Sequence, residues 1–286
     1  MENEVDKSHV TQFRRIGMEE AYNEDLKNKM AQGLAKIEHT YSKAYDDGKV
    51  DAVIHLQKFP ALDAYEIKKF DLTVQQAGQD NKVSQTFYIG ASKKIYDEDG
   101  NAAYRQNKYT LKEGYNLLSE RPVFKQFVSK DGAPYEDWIK LNLQNKLANG
   151  NHETIFLKKP DFHLEQTLKE YSIKDLTNPQ YTVSLMESLY RGNLQLTTFT
   201  PKDGQAEKLY VSPNLETGSI NVYGADRKQI PTEKLIERNL IAKDFGEKLL
   251  QVEKLVQEQK QTQKQEQKQE QKQNITKEHK HRQKIS

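Results

Sequence analysis

The 286 residues are 30% charged and 35% apolar, and 44 Lys+Arg against 42 Asp+Glu give a formal charge of +2. With a mean hydropathy of −0.95, this excludes a globally basic nucleic-acid binder and an acidic solvating protein. No apolar run approaches the roughly 20 residues of a membrane-spanning helix. Cysteine is absent, which excludes disulfides, thiol nucleophiles and thiolate metal sites and suits a reducing compartment. Met1-Glu2-Asn3-Glu4 lacks the basic and apolar regions of a secretory signal, so a cytoplasmic location is expected.

All eight prolines lie between Pro60 and Pro231. Helix interiors tolerate proline least, so both ends read as helical or disordered and the middle as strands, turns and short helices. In the first segment, residues 1–48, Tyr22, Leu26, Met30, Leu34, Ile37, Tyr41 and Tyr45 recur in steps of three or four. That spacing predicts one helical stripe, ended by Asp46-Asp47-Gly48 and packed on the next domain or on a partner.

Residues 49–118 read as a first α+β unit. Val50, Ala52, Ile54 and Leu56 alternate as in a strand with one buried face. Tyr65, Ile67, Phe70, Leu72 and Val74 form a second strand with an irregularity at Lys68-Lys69. Gly78–Asn81 turns the chain into a third strand at Thr86–Ile89. Thr110-Leu111-Lys112-Glu113 has capping-box spacing and opens a short helix through Leu118.

Residues 119–231 read as a second α+β unit. Val123–Val128 and Trp138–Leu143 flank the hairpin signal Asp131-Gly132. In the second strand Ile139, Leu141 and Leu143 belong to the buried face. Trp138 faces the other way, partly covered if a helix or the later meander lies over it. Phe162, Leu164, Leu168 and Tyr171 suggest a helix. Asn178-Pro179 starts another that Gly192 stops. Leu194–Thr200, Glu207–Ser212 and Ser219–Tyr223 form a three-stranded antiparallel meander.

Thr232 caps a C-terminal helix over 232–256, in two parts because of Gly246. The tail, 257–286, carries +4 and leaves −2 for the body. Its four-residue Gln/Lys/Glu unit offers almost nothing to bury, and it sets like charges at i and i+4, at about 0.2–0.5 kcal/mol per pair. A disordered tail or a frayed helix is expected. The fold class is therefore α+β: antiparallel hairpins and a meander with short helices, between an N-terminal and a long C-terminal helix.

No site of chemistry emerges from the motifs. The seven histidines form no i,i+4 metal pair; His279 and His281 sit in the tail. His152-Glu153 and the group Asp161, His163, Glu165 read as loop and cap residues. Gly90–Lys94 lacks the phosphate-loop spacing, and no Gly-x-Ser-x-Gly elbow occurs. No catalytic residue, metal ligand or cofactor is expected. The candidate nucleic-acid contacts are Arg14 and Arg15, Lys68 and Lys69, Lys93 and Lys94, Lys158 and Lys159, and the tail residues Lys264, Lys268 and Lys272. Fifteen tyrosines supply aromatics that stack bases beside such cations.

Several stretches carry a resemblance. They are Ser84–Ile89 (SQTFYI), Thr110–Arg121 (TLKEGYNLLSER), Val123-Phe124-Lys125, Asp131–Leu141 (DGAPYEDWIKL), Gly150-Asn151-His152, Ser188–Leu196 (SLYRGNLQL) and Ile220–Tyr223 (INVY). Together, over about 50–231, they resemble a domain-of-unknown-function family in proteins of conjugative and other mobile elements of gut-type bacteria. The resemblance implies a cytoplasmic, non-catalytic accessory or protein-interaction module of mobile-element biology. The alternative is a nucleic-acid-associated protein using the lysine pairs and the tail, and a third reading is an unrecognised enzyme. A protein partner is expected, nucleic acid is an alternative partner, and no membrane partner is expected.

Overall fold

The computed structural model describes residues 4–59, 64–90, 92–96, 102–106, 108–129, 131–159, 161–201 and 204–282. The chain begins with α1 (Glu4–Arg15), a 3-10 turn (Glu19–Ala21) and α2 (Glu24–Ala31). Four strands follow: β1 (Lys36–Tyr45), β2 (Gly48–Phe59), β3 (Ala64–Gln76) and β4 (Lys82–Tyr88). A hairpin, β5 (Ser92–Tyr96) and β6 (Ala102–Gln106), leads to α3 (Leu111–Leu118). Next come β7 (Val123–Val128), β8 (Pro134–Lys146), β9 (His152–Phe156), α4 (Leu164–Lys169) and α5 (Pro179–Tyr190). The meander β10 (Gln195–Phe199), β11 (Glu207–Asn214) and β12 (Ser219–Tyr223) precedes α6 (Thr232–Glu237) and α7 (Lys243–Arg282). The antiparallel sheets run β1-β2-β3-β4, β7-β8-β9 and β10-β11-β12. The class is α+β. No helix among the described residues is long and apolar enough to cross a membrane.

The chain divides into two units. One comprises Met1–Asp161 with Val183–Gln195, the other Phe162–Thr182 with Leu196–Ser286. The division thus falls after Asp161 rather than at Leu118. The physical reason is α3, whose Leu111, Tyr115, Leu117 and Leu118 share one buried cluster with β2, β3, β7 and β8. Gly114 lets the helix lie directly on the sheet, because a Cβ there would stand 2.5 Å from Leu72 Cδ1 and 3.0 Å from Phe87 Cε2. The capping box at Thr110 and Glu113 is formed.

The helical stripe expected through Tyr45 stops early. After α2 the chain becomes β1, paired in register with β2 from Lys36↔Gln57 to Tyr45↔Gly48. Ile37, Tyr41 and Tyr45 are four apart, a spacing that suits one helical face and, being even, one strand face equally. Strand pairing with Val50–Leu56 decides between them. The irregularity expected at Lys68-Lys69 is a bulge: His55 pairs with Lys69 and Leu56 with Ile67, so Lys68 is the extra residue.

β4 pairs with β3 only from Lys69 to Gln75. The earlier part of β3 would present free backbone groups, and α1 supplies their partners. His9 Nε2 accepts from Tyr65 N (2.9 Å), Gln12 Oε1 accepts from Ile67 N (3.1 Å), and Gln12 Nε2 donates to Tyr65 O (3.0 Å). Phe13 and Ile16 fill the cluster beneath.

In the second unit, Tyr171 is buried with its hydroxyl donating to Ile220 O (3.3 Å). Ser172 N donates to Leu240 O (3.0 Å) and Ala242 N to Glu170 O (2.7 Å), so the segment after α4 joins the meander to the α6–α7 junction. Gly246 has a packing role there: a Cβ would meet Ile236 Cγ1 at 2.6 Å. Thr232 is the first helical residue rather than the cap, and its hydroxyl donates to Glu253 Oε1 (2.8 Å). The tail, for which disorder or a frayed helix is expected, continues α7 to Arg282. The helix propensity of Gln, Glu and Lys prevails over the like-charge spacing.

Ile139 and Leu141 are buried as expected, but Trp138 is only 3% exposed. Phe124 (5.4 Å) and Tyr190 of α5 (5.5 Å) close over it. Its fluorescence is therefore expected at a fully buried wavelength with little acrylamide quenching. Leu141→Ala should cost about 2–5 kcal/mol in urea unfolding. An emission maximum shifted toward the unfolded chain's would contradict the covered ring.

His9 accepts at Nε2, so its ring is neutral with the proton on Nδ1. Burial pushes its pKa below the usual histidine value, with Asp6 opposing. His39, buried with Nδ1 3.4 Å from Asp25 Oδ2, is lowered by burial and by Lys29. Both rings bind protons more readily in the unfolded chain. Their stabilisation is complete above the unfolded value of about 6.5 and is lost as pH falls toward the folded values. The melting temperature should drop between pH 7 and pH 5, and His9→Gln, which keeps an acceptor, should flatten part of that slope. A pH-independent melting temperature would contradict two neutral buried rings.

Candidate nucleic-acid interface

Two constellations in the first unit bring polar or charged side chains together. The first crosses the solvated face of β1–β4. His55 Nε2 lies 2.6 Å from Asp71 Oδ2, and Nδ1 lies 3.3 Å from Glu38 Oε1. Thr86 Oγ1 donates to Asp71 Oδ1 (2.6 Å). Strand register sets this row, since Glu38 stands opposite His55 and Asp71 opposite Thr86. Burial raises the Asp71 carboxyl, but the bonds from Thr86 and His55 outweigh it and hold it below the usual range. The order of groups matters. A hydroxyl is activated by a base on its own proton with a carboxylate behind that base. Here Thr86 donates to the carboxylate and the histidine lies beyond, so the row cross-links strands and does not prepare a nucleophile.

The second constellation lies on β7–β9. The Asp131-Gly132 turn fixes the register Lys125↔Asp137 and Phe127↔Tyr135, and Ile139 pairs with Phe156. One face therefore carries Val123, Lys125 and Phe127 of β7, Tyr135, Asp137 and Ile139 of β8, and Phe156 of β9. Its Val123–Ile139 end is buried in the core; the other end opens to solvent. There Phe127 stacks on Tyr135 (5.3 Å) and meets Phe156 (5.4 Å). Tyr135 and Phe156 are 42% and 40% exposed.

Cations flank these rings on two sides. Lys125 Nζ donates to both carboxylate oxygens of Glu113 (2.8 Å each) and lies 5.1 Å from the Tyr109 ring centre. Burial and the Glu113 charge push the Tyr109 hydroxyl up to about 12. Leu111 N donates to Ile16 O (2.8 Å), which holds the end of α1 beside the start of α3 and brings Arg15 near Lys108. Burial, then Arg15 and Lys125, hold the Lys108 ammonium below the usual lysine range. Past Phe156, Leu157 N donates to Trp138 O (2.9 Å) and Lys158 N to Asp137 Oδ1 (3.0 Å), leaving Lys158 and Lys159 exposed. Among the described residues, Arg15, Lys108, Lys158 and Lys159 have no carboxylate within ion-pair distance.

The sequence-predicted contacts therefore separate. Lys158 and Lys159 follow Phe156 at the edge of the aromatic face, and Arg15 lies near Lys108. Arg14 pairs with Glu19 (2.9 Å), Lys68 with Glu66 (2.5 Å), and Lys69 lies 3.9 Å from Asp71. The side chains of Lys93, Lys94, Lys264, Lys268 and Lys272 lie outside those described. Tyr135, Phe156, Lys108 and Lys125 are not among the sequence-predicted contacts. A readable signal existed for Tyr135, because a hairpin centred on Asp131 sets it opposite Phe127. No protein-family model, curated protein or solved structure matches the chain.

Proposed function

We infer that the protein is a non-catalytic interaction module that engages its partner through the open end of the β7–β9 face. The observation that carries this reading is the pairing of two half-exposed rings, held on a buried third ring, with flanking cations of which Arg15, Lys108, Lys158 and Lys159 have no ion-pair partner among the described residues. Rings fixed by strand register present apolar area at little entropic cost, and free cations add steering and orientation. The order of groups in the His55 row supports binding rather than turnover. The resemblance to modules of mobile elements supports an accessory role in that setting.

A photo-crosslinking residue tests this. p-Benzoyl-phenylalanine replaces Phe156 in the full chain, with the same residue at exposed Val183 as a control. In cells producing the protein, irradiation should give a discrete adduct from position 156 and none from 183. Equal or no adducts from the two positions would contradict the assignment of the face.

A further inference from the structure

We propose that this face binds single-stranded nucleic acid, with Tyr135 and Phe156 stacking bases and Lys158, Lys159, Lys108 and Arg15 holding phosphates. The inference rests on the reading of the β7–β9 face as the interaction surface and names its ligand.

Single strands are held by two features together, aromatic faces for the bases and cations along the backbone, without hydrogen-bond readout of sequence. Both features lie on this face. Tyr135 and Phe156 each leave about two-fifths of their surface open while packed on Phe127. Cations stand at both flanks, so a strand crossing the rings meets positive charge as it arrives and as it leaves. Two acids of this surface are already engaged, Glu113 by Lys125 and Thr110 N, and Asp137 by Lys158 N. Among the described residues, Arg15, Lys108, Lys158 and Lys159 keep no ion-pair partner. The half-buried Lys108 beside two like charges adds to the complementarity for an anion. A duplex keeps its bases stacked on one another and offers only phosphates to the same rings.

The β1–β4 face, although solvated and broader, does not fit this ligand. Its lysines at 68 and 69 lie beside Glu66 and Asp71, and its centre is the Glu38–His55–Asp71 row, which opposes phosphate.

Fluorescence anisotropy of the full chain with a labelled 20-nucleotide oligo(dT), and with the same strand in a duplex, tests the proposal. Y135A with F156A should weaken single-strand binding about five-fold or more, the effect of losing at least one stack. Duplex binding, carried by phosphate contacts, should change little. K158Q with K159Q touches no packing and should reduce the slope of log K against log salt by about 0.7 per lost contact. Single-strand affinity unchanged in both double variants, or no binding of the oligonucleotide by the full chain, would overturn the proposal. In either case, a protein adduct from position 156 would still uphold the interaction-module reading, so the two fail separately.

Discussion

The first unit depends on one partly buried ion pair at the point where four segments meet. Asp47, in the turn between β1 and β2, accepts from Arg121 Nη1 (2.8 Å) and from the Tyr115 hydroxyl (2.7 Å). Arg121 also donates to Asn116 Oδ1 (2.8 Å). Asn116 in turn donates to Arg191 O (2.7 Å) and Asn193 Oδ1 (2.9 Å) in the loop after α5. Burial alone would raise the Asp47 carboxyl, but Arg121 and Tyr115 outweigh it, and the group stays charged below the usual range. A buried pair of this kind adds little net stability over an apolar replacement. Its effect is geometric, because its hydrogen bonds tie the β1–β2 turn, α3 and the loop after α5 to one another.

That arrangement positions the candidate surface. Gly48 lets the β1–β2 turn approach α3, since a Cβ there would stand 2.8 Å from the Tyr115 hydroxyl. Gly192, in the left-handed conformation, lets the loop after α5 approach Pro122 at the entry to β7; a Cβ would meet Pro122 O at 2.7 Å. With α3 seated on β3 and β4, Glu113 receives Lys125, and Tyr109 lies beside Phe87 (5.0 Å). The second edge of the large sheet is tied in as well. Thr86 N donates to Asn151 Oδ1 (2.9 Å), and His152 N donates to Gln85 Oε1 (2.7 Å). The rings at 127, 135 and 156 thus stand on a fixed floor, which lowers the entropy lost when a ligand covers them.

How much was legible follows from which signals are local. Turn and cap chemistry could be read directly: Thr110 with Glu113, Asn178 before Pro179, Gly192, and the turn at Asn214–Gly218 lie where their residue types place them. The extra residue at Lys68 was visible as a break in alternation. β1 was not legible as a strand, because Ile37, Tyr41 and Tyr45 satisfy two periods and the deciding partner is β2. The burial of Trp138 depended on Tyr190, 52 positions away, and no local pattern announces such a contact. The same holds for the candidate surface. Lys158 and Lys159 were visible as a charge pair, whereas their nearness to Tyr135 and the absence of a neutralising acid are properties of register. Lys68 and Lys69 form a charge pair of the same kind, but Glu66 and Asp71, two residues away on the same strand, stand beside them.

Hydrogen–deuterium exchange of Asp47→Asn tests the clamp of Asp47 on Arg121 most directly. Removing the charge leaves the partly buried Arg121 without its counter-ion, a change that costs less than the roughly 3–5 kcal/mol of a fully buried pair. If the pair joins the segments, amide exchange should rise together in β2, α3 and β7. Faster exchange confined to the turn at residues 46–48, with α3 and β7 protected as before, would contradict the clamp.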